Sequence, residues 1–235
     1  MYSKTISRTV SAVTPLVAAM TLAGPASAQD LALEEVVVTA QKRVQSLMDV
    51  PLSVSAVSGA KMQEAGIMDL ADLTAYGPNF QKSDASIGSF LVIRGIGSGI
   101  NQGFEQSVVQ YVDDIALGRA PLARMPFLDL NRVEVLRGPQ NVLFGKNSIA
   151  GALSMVTNKP TDEFEGSMQL EYEPDYESST ANLVLSGPIS DTLRGRLAVR
   201  YYSDDGYFDN NLNGKDEAGR EDVTARGIVA WDITD

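Results

Sequence analysis

Two places in the sequence carry residues that could do chemistry. The first is RVEVLRGPQNVLFGKNSIAGALSMVTNKP, residues 132–160, where Gly138 to Lys146 reads as a glycine-rich loop ending in Gly-Lys. A phosphate cradle needs G-x-x-x-x-G-K-[ST]: four intervening residues let the backbone N–H groups curl round phosphate, and the hydroxyl holds Mg²⁺. Here six residues separate Gly138 from Gly145, and Asn147 stands where the hydroxyl should be, so the match fails twice. RGIGSGI, Arg94 to Ile100, fails as a dinucleotide fingerprint because Ile100 replaces the third glycine and no helical pattern follows. The second place is Asp113-Asp114. Adjacent strand residues point to opposite faces, so these carboxylates cannot work as an acid–base pair. They fit a hairpin turn between two apolar runs.

The chain has no histidine and no cysteine, which removes zinc-finger, iron–sulfur, disulfide and histidine-based catalytic chemistry. A net charge of −11 leaves no basic face for nucleic acid. No catalytic residue, metal site, cofactor or nucleic-acid partner is therefore expected. Arg94 and Arg137 each close an apolar strand and precede glycine. If both strands share one sheet, both guanidiniums leave the domain at the same edge. Buried there, they need carboxylate partners; exposed, they are ordinary surface arginines.

The elements that must position these residues fall into four stretches. Lys4 and Arg8, the apolar run Val10 to Gly24 and the Ala26-Ser27-Ala28 cleavage signal read as a signal peptide over 1–28. Its removal takes the charge from −11 to −13, because the two basic residues leave with it. Residues 29–47 form a flexible N-terminus holding EEVVVTA, Glu34 to Ala40. That short β-prone run has no turn or partner strand nearby, and an isolated strand is barely stable in water. It is expected to be mobile and suited to adding itself to another protein's sheet edge, or else to be the first strand of the domain.

Residues 48–160 read as an α/β domain. Pro51 to Val57 alternates as a strand, Ser58 caps a helix through Ala65 with Gly66 beyond it, and Asp69 caps a second. SFLVIRG, SVVQYVDDIAL and RVEVLRG are strands. Pro139 starts a single helical turn over 140–144 that Gly145 ends. GALSMVTNKP is the last strand. From residue 163 to 235 the pattern changes to alternation. Phe164, Gly166, Met168, Leu170 and Tyr172 oppose glutamates and polar residues; LRGRLAVRYY and VTARGIVAW behave likewise, and TANLVLSG is weaker. A Gly-Pro link (Gly187 to Thr192) and a long polar loop (Ser203 to Asp222) join these segments. Alternation alone fits a soluble sandwich better than a membrane sheet, but the export signal and the absence of cysteine favour an outer-membrane barrel. About four strands cannot close a barrel, so the chain reads as C-terminally truncated.

The combination of motifs resembles the TonB-dependent outer-membrane receptors. Val133-Glu134-Val135, Arg137-Gly138-Pro139, Phe144-Gly145, Ala150-Gly151 and Val156 to Pro160 match that family's most recognisable stretch. FLVIRGIG, with Gly95, and VQYVDDIAL match further motifs in order and spacing. Asp113-Asp114 departs from the family's Asp-Gly turn. The resemblance implies that 48–160 is a plug inside a barrel of about 22 strands, with 163 onward supplying the first strands. Gly95, Glu134, Gly138, Pro139, Phe144, Gly145 and Gly151 would be the plug's structural motif. Glu35, Val36, Val37, Val38, Thr39 and Ala40 would be the TonB box, pairing with TonB's periplasmic domain. Arg94 and Arg137 would latch to barrel-wall carboxylates beyond this chain. Plug loops between Lys82 and Gly103, with Ser83, Asp84, Asn101 and Gln102, would touch substrate. The implied function is uptake of a scarce nutrient, most often a ferric siderophore, across an outer membrane whose lipid the strands contact. A passive pore or an adhesin is the rival reading, and would make no use of EVVVTA; a non-transporting fragment of such a receptor is a third.

Overall fold

The computed structural model describes residues 37–39, 42–85, 88–99, 103, 105–119, 123–175, 177–210 and 215–233, with backbone alone for 207–210 and 215–217. The expected signal peptide and Glu35, Val36, Ala40, Asn101 and Gln102 lie outside the described residues.

The N-terminal domain is built on a five-stranded mixed sheet. Its strands are β3 (Val54–Ser58), β7 (Val108–Val112), β8 (Ile115–Leu117), β9 (Leu130–Arg137) and β10 (Gly151–Thr157), in the order β3-β9-β10-β7-β8. β10 runs parallel to β7, and every other pairing is antiparallel. β9 and β10 are near-continuously apolar because both faces of the central strands are covered. On one face Val108, Val133, Val135, Leu153 and Met155 pack with Met62, Leu70, Leu73, Phe80, Leu91 and Ile93. Those last six come from α1 (Gly59–Glu64), α2 (Leu70–Thr74) and a small sheet of β4 (Phe80–Ala85), β5 (Gly88–Ile93) and β6 (Ile96–Gly97). The opposite face, with Val109, Tyr111, Leu136 and Ala152, packs against Val38, Val50 and Phe144.

Local chemistry sets the helix ends. Ser58 Oγ accepts the N–H of Lys61, while Asp69 and Asp72 form a reciprocal capping box at α2. Asp113 and Asp114 both take positive φ, 46° and 69°, which is the geometry of a two-residue primed hairpin turn. Aspartate tolerates that region better than most side chains, so the missing glycine does not prevent the turn. α3 covers Asn141–Phe144, with Gln140 as its N-cap, so Pro139 lies before the helix rather than at its first position.

Four expectations need correction. Val37 and Val38 do not stand alone: they form β1, paired antiparallel with β2 (Gln45–Ser46). The turn that makes this pairing involves Lys42 at φ 61°, whose N–H donates to the Thr39 carbonyl, and no Gly or Pro announces it. The strands that Arg94 and Arg137 close belong to two different sheets. The supposed loop from Ser203 to Asp222 is mostly strand. β13 spans Leu193–Asn210 and β14 spans Lys215–Trp231; the run over 203–222, rich in polar residues and glycine, lacks the alternation that marks a strand. The Gly187–Ser190 link is likewise the end of β12 (Ser178–Ser190), and β11 (Glu165–Glu173) completes a four-stranded antiparallel meander in chain order. Among the described residues, no helix is long and apolar enough to cross a membrane.

Candidate functional site: a clasped N-terminal strand and an inside-out sheet

Glu134 is the one acid in the apolar stretch of β9, and its side chain stands on the Leu136 face, fully buried. A carboxylate there needs donors; its Oε1 has them, while its Oε2 has no hydrogen-bond partner among the described residues. Its Oε1 accepts the Thr39 backbone N–H at 2.7 Å, the Thr39 hydroxyl at 3.1 Å and Arg132 Nε at 2.7 Å. Arg132 Nη2 donates in turn to the Thr39 hydroxyl at 3.0 Å. Next to this clasp, Val38 is completely buried, a gain of about 1.5–3 kcal/mol for a side chain of its size. Lys42 gives a second hold. Its ammonium lies 4.7 Å from the Phe144 ring centroid and 5.2 Å from that of Tyr111, and it pairs with Asp114. Tyr111 and Phe144 meet edge to face at 5.2 Å. Of the two readings of EEVVVTA, a lone strand or a first strand of the domain, Val37 to Thr39 take the second in this structure. Val38 has a prepared surface while Val37 stays exposed, which sequence alone could not show.

The arginine pair is brought together despite the two sheets. A Cβ on Gly138 would lie 3.7 Å from Arg94 Nη1, and Arg94 itself is strained at φ 53°. Arg137 is buried. Its Nε donates to the Pro78 carbonyl at 3.1 Å and its Nη2 to Ser55 Oγ at 2.7 Å. Burial, and then the positive charge of Arg94, hold its pKa below the usual guanidinium value. Among the described residues neither arginine has a carboxylate within ion-pair distance.

Gly138 and Gly145 adopt φ of 94° and 71°, so the glycines of the loop serve backbone turns. Lys146 pairs with Glu105 at 3.2 Å, and the Asn147 amide donates to the same carboxylate. Ser83 and Asp84 lie on β4 rather than in a loop, and Asp84 is held by Lys82 at 3.0 Å and by the Ser89 hydroxyl.

The meander is inside out by the standards of a soluble sheet. Met168, Leu170, Tyr172, Leu197, Val223, Val229 and Trp231 are exposed, while Thr180, Ser186, Ala198 and Arg200 are buried on the side facing the first domain. A soluble sandwich would bury the apolar face. Sequence reading also missed the joint on that inner side: Asp129, just before β9, holds Arg196 of β13 through two bonds of 2.6 Å.

A clasped N-terminal strand, a compact mixed-sheet domain and an inverted meander now stand together, and comparison with known proteins gives the first domain a family. Residues 46–152 match the family model described as TonB-dependent Receptor Plug Domain. The chain carries a TonB-dependent receptor plug. The pesticin receptor of Yersinia pestis is 30% identical over 188 residues, 78% of this chain and 27% of that protein. The iron-regulated outer membrane virulence protein of Vibrio cholerae is 28% identical over 174 residues, 68% of this chain and 26% of that protein. The crystal structure of the ferric yersiniabactin uptake receptor FyuA from Yersinia pestis superposes with a TM-score of 0.69 at 26% identity, covering 76% of this chain and 28% of that one. The chain thus spans about a quarter of the length of these relatives. The mixed sheet with few helices followed by antiparallel strands matches the architecture of TonB-dependent receptors, and the family match itself ends at residue 152, inside β10. These relatives are receptors rather than enzymes.

Proposed function

We propose that this protein takes up a ferric siderophore across the outer membrane, energised through TonB. The observation that carries the reading is a receptor plug joined to a sheet whose apolar face is exposed and whose polar face is covered. Lipid is the solvent in which that orientation is stable. Relatives named for ferric yersiniabactin, ferric enterobactin and ferripyoverdine support iron chelates as the substrate class. Residues 1–28 direct export and are removed. Residues 35–40 add as a strand to TonB's periplasmic domain, and a main-chain ladder gives that contact its affinity. Arg94 and Arg137 latch to carboxylates of the barrel wall, where an unpaired buried cation would otherwise be costly. Ser83, Asp84, Asn101 and Gln102 lie in the segment that meets the chelate.

The test is capture of TonB's C-terminal domain by the protein with residues 1–28 removed, with and without Val37→Pro. Proline removes a strand donor. Binding that proline abolishes supports the reading, and equal capture of both forms, or of neither, overturns the TonB contact.

A further inference from the structure

The plug meets the meander at a joint opposite in sign to the arginine pair. Asp129 precedes β9 with φ of 49°, a left-handed conformation that aspartate tolerates better than most side chains. Its carboxylate is 5% exposed. Arg196 Nε and Nη2 each reach one of its oxygens at 2.6 Å, a parallel fork that fixes direction as well as distance. The Asn158 amide adds a bond of 2.8 Å to the same carboxylate, and the Asn158 N–H donates to the Asp129 carbonyl at 3.1 Å. One residue earlier, the Leu128 carbonyl accepts Arg226 Nη1 at 2.7 Å. Arg226 lies opposite Ala198 on β14, so two inward arginines on neighbouring strands grip one two-residue corner of the plug.

This corner is the start of β9, and Glu134, which holds Thr39, lies farther along the same strand. A tug on residues 37–39 therefore reaches β9 through the clasp and meets resistance at Asp129. We propose that Asp129 is a positioning residue that pins β9 to the barrel wall. The N-terminal strand then pulls its clasp against a fixed strand, and the plug stays seated while the clasp opens. The inference rests on the barrel reading of β11 to β14 proposed above.

The test uses the full-length protein in outer membranes with Asp129→Asn, Arg196→Gln and the double variant, each checked for unchanged membrane level. The readouts are influx of a bulky hydrophilic antibiotic and affinity for the ferric siderophore. Each single variant is expected to raise influx several-fold with affinity unchanged. The double should be no leakier than the worse single, because contacting residues are non-additive. Single variants as tight as the unaltered protein, or effects that simply add, overturn the pin. If the chelate is not bound at all yet the influx pattern appears, the pin stands and the uptake reading falls. Uptake without the influx pattern removes the pin alone.

Discussion

Thr39 gives both its backbone N–H and its hydroxyl to one oxygen of Glu134, at 2.7 and 3.1 Å, across 95 positions of sequence. Those two bonds tie the strand proposed to meet TonB to the central strand of the plug. Hydrogen bonds to a charged acceptor are each worth about 1.5–3 kcal/mol. Glu134→Gln should therefore free residues 37–39 about tenfold or more often, since 1.4 kcal/mol is a factor of ten. The chain has no native cysteine and Val38 is completely buried, so Val38→Cys gives a clean reporter. Its thiol-labelling rate is expected to rise in the Glu134→Gln background, and an unchanged rate would mean the clasp does not hold the strand.

Gly151 opens β10 beside β9. A Cβ there would lie 2.3 Å from the Leu136 carbonyl oxygen and 2.8 Å from Ile93 Cδ1. Backbone cannot step aside cheaply, so Gly151→Ala should cost about 1–3 kcal/mol or more, as overpacking does. At Gly145 nothing lies within 4 Å of the added atom and only the positive φ of 71° resists, so Gly145→Ala should cost less. Denaturant midpoints of the two variants should rank in that order.

Leu197 is exposed on β13, a few residues in from its first end. In water, Leu197→Arg would be harmless. In a bilayer, arginine near the midplane of a barrel strand costs about 2–4 kcal/mol. Folding into lipid vesicles should fall accordingly, while the same change at Phe164, which precedes β11, should matter less.

Asp113 closes a hairpin and accepts the Thr157 N–H at 3.0 Å and the Thr157 hydroxyl at 2.6 Å. Burial disfavours its charge, but those donors and Lys159 outweigh burial, and its pKa lies below the ordinary carboxylate value. A depressed folded-state pKa contributes stability that is present above the unfolded value and lost as pH falls through the folded one. The loss therefore begins below about pH 4. Asp113→Asn should lower stability at neutral pH and make the acid limb shallower. A limb of unchanged slope would remove Asp113 as its source.

Much of the plug was legible. Ser58 and Asp69 announced their helices because a cap needs a particular side chain, and the strands of the large sheet announced themselves by apolar runs. The apolar face of β11 to β14 showed in its alternation, but alternation has no sign: only the packed structure shows that the apolar side faces out. The extension of β13 and β14 past Ser203 stayed hidden because the run over 203–222 is rich in polar residues and glycine and lacks alternation. Asp129 carries no sequence signal and Glu134 enters only through the family resemblance, since Arg196 lies 67 residues from Asp129 and Thr39 lies 95 from Glu134. A buried charge is defined by partners that only tertiary structure brings. Glu134 did carry one signal, an acid in a strand apolar on both sides.

The central claim is TonB-energised uptake of a ferric siderophore, and the direct measurement is entry of labelled iron chelate into iron-starved cells carrying the full-length protein. Uptake is expected in cells with TonB, and it should be lost both when TonB is deleted and when Val37→Pro is introduced. Equal uptake with and without TonB, or full uptake by Val37→Pro, would contradict it.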